Sequence, residues 1–229
     1  MLPVSLQDSV DRFGRSLEVP QRLVALHPRK AGHSGNFAAL PPAVVLGVIS
    51  AFEGFVENFL ATALCLRGYG LGQIAKRVSM NNPTVSGFQA KCLAEFPTMA
   101  RVGKAFSLRV WNTPSAIGRP ATETISWEEV LKRADGWMEV RHCLTHGLAS
   151  GWRSEVWPGP LKSSASASSV LRAKRGGKHS IGIIGAITCS RIYIHGARQL
   201  ATSVANDLEQ DIDWTSIPDF PLKPSGAES

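Results

Sequence analysis

The sequence predicts an all-α fold, a helical bundle in one domain, from three observations. The stretch Ser126–Gly151 carries an apolar stripe at helical spacing behind a capping signal. A second stretch, opened by Pro41 and Pro42, is apolar over more than half of its helical circumference, as befits the central helix of a bundle. A third amphipathic run, from about Ala186 to Leu208, closes the pattern. With 229 residues, 44% hydrophobic and 19% charged, the chain is long enough for a substantial core and ordinary for a globular protein.

In chain order, Leu6, Val10, Phe13 and Leu17 are spaced four, three and four apart and predict a short amphipathic helix, which Leu23, Val24 and Leu26 can continue after Pro20. Residues 27–40 read as a loop. The proline-opened helix follows, with Val44, Val45, Val48, Phe52, Phe55, Phe59 and Leu64 among its apolar positions and a stop at Gly68. It has the length of a membrane span, but Glu53, Glu57 and Asn58 interrupt it, so a packed core helix is expected. Glu53 and Glu57 share its remaining polar strip. Residues 71–95 read as two short helices around Asn81-Asn82-Pro83; they resemble a helix-turn-helix only superficially, with Gln89 and Lys91 as its good DNA contacts. One helix is expected around Met99–Val110, then a loop. Ser126 and Glu129 next form a capping-box pattern, and Trp127, Val130, Leu131, Ala134, Trp137 and Met138 make the stripe of the organising helix. Residues 150–182 read as a basic, Ser-rich insertion, with short strands near Glu155–Trp157 and Ser180–Ile184. The domain is expected to span 1–210, and 211–229 to be an extended or disordered tail.

Charge and cysteines narrow the setting. The net charge of +7 suits a polyanionic partner, and the segment Leu161–Ser180 holds five Lys and Arg residues and no acid. Lys174, Arg175 and Lys178 there, with Arg191 and Arg198 on the last helix, are the candidate RNA-binding cations. Cys65, Cys92, Cys143 and Cys189 show no paired spacing, which predicts neither a zinc ribbon nor a disulfide framework and fits a reducing cytoplasm. No secretory signal is read in the N-terminal residues, and no membrane partner is expected.

The anomaly is Arg141, which stands where the apolar stripe of its helix should continue, followed by His142 and His146. Three readings compete. His142 and His146, four apart, are half of a metal site, but no third ligand accompanies them. Arg141 could instead close a buried ion pair with Glu53 or Glu57. Or the cluster performs phosphodiester chemistry: an imidazole takes the proton of an RNA 2′-hydroxyl near neutral pH, and a guanidinium holds the charge that grows on the phosphate oxygens. Five helical residues rotate by about 140° and rise by about 7.5 Å, so Arg141 and His146 do not share a face of an ideal helix.

The segment Arg141-His-Cys-Leu-Thr-His146, late in a long helix, resembles the HEPN superfamily, nearest to its RiboL-PSP-HEPN ribonuclease branch. The apolar, glutamate-bearing helix before it, the Asn-Asn-Pro turn between and the amphipathic helix after it stand in the matching order, over roughly residues 5–210. The resemblance implies a HEPN-like up-and-down bundle that forms a homodimer with a shared active-site cleft. It implies metal-independent endoribonuclease activity without cofactor, leaving a 2′,3′-cyclic phosphate, in a toxin or antiphage-defence effector with an antitoxin or defence-system partner protein. Carried over, His146 is the general base or acid, Arg141 the phosphate clamp, His142 the variable polar position, and Glu53 the acid that orients Arg141 or a histidine. Toxins of this kind that are silenced by nucleotidylation carry a Tyr two residues after the motif histidine; here that residue is Leu148. The alternatives are a non-catalytic HEPN-like module that binds RNA or protein, and a DNA-binding regulator built on residues 73–91.

Overall fold

The computed structural model describes residues 5–28, 37–111, 121–146, 158–159 and 181–222. Within them the chain forms six α-helices: α1 (Leu6–Leu26), α2 (Leu40–Leu66), α3 (Leu71–Val78), α4 (Val85–Glu95), α5 (Trp127–Thr145) and α6 (Ile183–Asp207). A 3-10 turn (Pro97–Arg101) and a two-stranded antiparallel hairpin, β1 (Leu108–Trp111) and β2 (Thr122–Ile125), lie between α4 and α5.

Helix α2 is the axis of the bundle. Ala39 precedes it without a side-chain cap, Pro41 and Pro42 occupy its first turn, and Gly68 at φ 82° follows its end. Proline loses nothing where backbone N–H groups have no intrahelical partner, and glycine adopts the left-handed stop at no steric cost. Its length and apolarity would suffice for a membrane crossing, but α1 and α6 pack along it, and Val44, Val48, Phe52, Phe55, Val56 and Phe59 are buried. Phe55 stacks on Phe13 at 4.6 Å between centroids, and Phe52 meets Tyr193 edge-on at 4.9 Å, so α1, α2 and α6 share one aromatic core.

Helix α1 runs on through Pro20 to Leu26, the continuation that Leu23, Val24 and Leu26 allow, and Pro20 is buried against Gly47 of α2, where a Cβ would lie 2.8 Å from its ring. Three departures from the sequence reading have physical causes. The expected helix over Met99–Val110 is a 3-10 turn, then Gly103 at φ 87°, then β1: Leu108 and Val110 point inward while Arg109 points out, the period of a strand. Ile183 and Ile184 belong to the first turn of α6 rather than to a strand, with Gly182 in the extended conformation before them. The other expected strand, Glu155–Trp157, lies outside the described residues.

The third departure is the tail. Residues 211–222 are extended but docked: Trp214 and Phe220 are 8% and 2% exposed, and Trp214 lies 6.1 Å from the Phe55 ring. Gln7 exchanges two hydrogen bonds with the backbone of Asp213, and the Ser216 hydroxyl donates to Asp11. A Cβ on Gly14 would stand 2.7 Å from the Ser216 carbonyl oxygen, a backbone atom that cannot swing aside. Gly14→Ala is therefore expected to destabilise the fold by about 1–3 kcal/mol and to expose the tail first. Limited proteolysis with mass spectrometry checks this; cleavage after Gln210 before any other site is the expected pattern.

Candidate functional site

Helix α5 is set in place from both ends and along its length. The Ser126 hydroxyl accepts from the Glu129 N–H at 3.4 Å, so the N-cap forms as expected. The reciprocal half of the capping box does not: the Glu129 carboxylate accepts instead from Arg133 at 2.7 Å, and Arg133 also reaches Glu123 of β2 at 2.8 Å. Trp127 donates its indole N–H to Gln89 of α4 at 3.0 Å. Buried Tyr193 of α6 donates its hydroxyl to the Ala134 carbonyl at 2.9 Å, which fixes the register of α5 on α6. Trp137, Val140 and Cys143 bury the inner face.

One step along that face stands Arg141, and α2 meets it there. Its guanidinium donates to Glu53 Oε2 at 3.3 Å and to Asn82 Oδ1 at 3.1 Å, and the two charged side chains are 20% and 21% exposed. Glu53, rather than exposed Glu57, is thus the acidic partner. Glu53 Oε1 is buried without a hydrogen bond among the described residues. A guanidinium has five N–H donors; these two contacts take two of them, and no other described residue takes a third.

Asn82 is a site residue the sequence reading passed over as turn chemistry. It sits at φ 51°, in the left-handed region that asparagine tolerates better than most residues. Its side-chain role depends on packing across 59 residues of chain, which no local pattern reports.

The two histidines lie together at the end of α5. Their rings are 6.3 Å apart, as spacing of four predicts. The helix ends at Thr145, two residues before Gly147 in the sequence. His146 is its C-cap, exposed, with its N–H on the His142 carbonyl at 2.9 Å; His142 is half-buried. Gly147, Leu148 and Gly151 lie outside the described residues. Among the described residues no three His, Cys, Asp or Glu side chains gather as metal ligands, and no two cysteines form a disulfide.

The proposed RNA-binding cations divide. Lys174, Arg175 and Lys178 lie outside the described residues, and Arg198 is exposed. Arg191 is otherwise engaged. It donates to the Arg109 carbonyl at 2.9 Å and the Phe220 carbonyl at 3.3 Å and pairs with Asp219 at 3.8 Å, tying hairpin and tail to α6. Burial lowers its pKa. A half-buried guanidinium with these contacts acts as a structural tie. The helix-turn-helix reading weakens too, since Gln89, one of its two candidate contacts, is taken by the Trp127 indole.

His195, on the same face of α6, is held neutral. Burial, then the Arg191 and Arg198 charges, push its pKa down to about 4, against a smaller opposing effect of Asp219. The unfolded chain takes up a proton here as pH falls through about 6.5, while the folded chain does not until about 4. Stability is accordingly expected to drop across that window, on the order of 2 kcal/mol. Denaturant titrations at pH 7 and pH 4.5 read this, and His195→Gln should flatten the difference.

Comparison with protein-family models, curated proteins and solved structures finds no match to this chain.

Proposed function

We propose that the chain is a HEPN-type, metal-independent endoribonuclease that works as a homodimer, in a toxin or defence setting. The observation that carries this reading is Arg141: a guanidinium fixed by Glu53 and Asn82, with donors that no other described residue takes, next to His142 and five residues before exposed His146. The alternation of a glutamate-bearing core helix, a paired turn and an Arg-and-His helix supports the HEPN-like topology.

In the reaction, a nitrogen of His146 takes the 2′-hydroxyl proton as the 2′-oxygen attacks the adjacent phosphorus. Negative charge grows on the non-bridging oxygens, and the spare Arg141 N–H groups meet it. The bond to the 5′-oxygen breaks, a proton returns to that leaving oxygen, and a 2′,3′-cyclic phosphate and a 5′-hydroxyl result. Glu53 and Asn82 act through Arg141: they hold its plane, so that no reorganisation is needed as charge develops.

A second reading has its own support. The Glu53–Arg141 pair would serve a non-catalytic helical module equally well, with the histidines simply solvated. Incubation of the wild-type protein with a mixed-sequence RNA in EDTA decides between them. The nuclease is expected to cut, to leave cyclic-phosphate ends and to ignore the chelator. RNA that stays intact at every protein concentration, or cleavage that EDTA stops, sinks the proposal.

A further inference from the structure

Across Asn82 from Arg141 the surface opens into a concavity of about 500 Å³, walled by Met80, the Asn81-Asn82-Pro83 turn and α4. That volume is in the range of small-molecule sites. Its wall begins at the residue that holds Arg141, since Asn82 belongs to both. A guanidinium only donates, so the Asn82 atom facing Arg141 is its carbonyl oxygen, and its amide NH2 is left for another partner. Asn81, exposed, adds a second amide with both donor and acceptor. Met80, Pro83 and Ala90 give the concavity apolar surface, and Lys91 gives it a positive charge. None of the residues lining it is acidic.

We propose that this concavity is a nucleobase subsite, which seats one unpaired base of single-stranded RNA next to the phosphate held by Arg141. This rests on the ribonuclease reading of the Arg141 site. A base has an apolar face and a polar edge, and the concavity offers both. The partly exposed thioether of Met80 suits the face; asparagine amides pair with base edges through a donor and an acceptor together. Lys91, with its ammonium anchored on the Arg77 carbonyl, supplies charge for a neighbouring phosphate. Single-stranded RNA is the form in which a base is available to be splayed out in this way.

One exposed position allows a test that spares the fold: Ala90→Leu puts bulk into the concavity. Cleavage is measured on a short ribo-oligonucleotide and on copies that lack the base at single positions around the cut. In the wild type, loss of one particular base is expected to lower kcat/KM about tenfold. Ala90→Leu should cut the intact oligonucleotide at that reduced rate and show no further loss on the abasic copy. If Ala90→Leu keeps both the wild-type rate and the wild-type penalty for the missing base, the subsite is wrong and the nuclease stands. Should the wild type cut no RNA, the same oligonucleotide is titrated into the protein and the side-chain amide signals of Asn81 and Asn82 are followed by NMR. Shifts that Ala90→Leu abolishes retain the subsite and discard the nuclease; unmoved signals discard the subsite.

Discussion

Arg141→Ala is expected to lower RNA cleavage by about 10²–10³-fold, the usual cost of deleting a donor aimed at developing negative charge. It should also cost stability, about 2–3 kcal/mol, because the half-buried Glu53 carboxylate loses its cationic partner and already has one oxygen without a hydrogen bond. The two effects are separable. Glu53→Gln combined with Arg141→Ala removes the orphaned charge, so stability should return towards wild type while activity stays low. Arg141→Lys keeps the charge but not the planar fork that reaches Glu53 and Asn82 at once, and should fall between. Thermal melts and cleavage rates on the same preparations check all three. If activity follows stability through the series, Arg141 is a structural ion pair and the clamp role is lost.

What the sequence discloses here is local, and what it conceals is contact between distant segments. The ends of α2, the two helices around Asn81-Asn82-Pro83 and the Ser126 cap were legible because each is written in neighbouring residues: prolines, a turn, a hydroxyl before an apolar run. Arg141 was legible as a charge in an apolar stripe, and Glu53 as its candidate partner. The choice of Glu53 over Glu57 needed the rotation of α2 against α5, and Asn82 needed the turn to fold back onto the same guanidinium. The hairpin was missed because strands of four residues give too short an alternation to separate from a weak helix. The tail's docking was missed because prolines and polar residues mask two anchors, Trp214 and Phe220, and because its contacts lie far back in the chain: Trp214 on Phe55, Asp213 on Gln7 and Ser216 against Gly14.

The arrangement of α5 leads to the second large effect. Arg141 follows the buried stripe and is tethered inward to α2, while His146 caps the exposed end of the helix five residues on. A rotation of about 140° between them leaves one chain poorly able to place both on a single phosphate. A second copy related by a two-fold axis solves this, since Arg141 of one chain can then face His146 of the other. Arg141→Ala and His146→Ala homodimers should each be nearly inactive. Unfolded together in equal amounts and refolded, half of the dimers pair the two variants, and each such dimer holds one intact site of two, so activity should recover to about a quarter of wild type. Size-exclusion chromatography and tagged-chain pull-down confirm that mixed dimers form. Mixed dimers that stay as inactive as either parent would show that each chain must supply its own arginine and histidine, and an active wild-type monomer would show the same without any mixing.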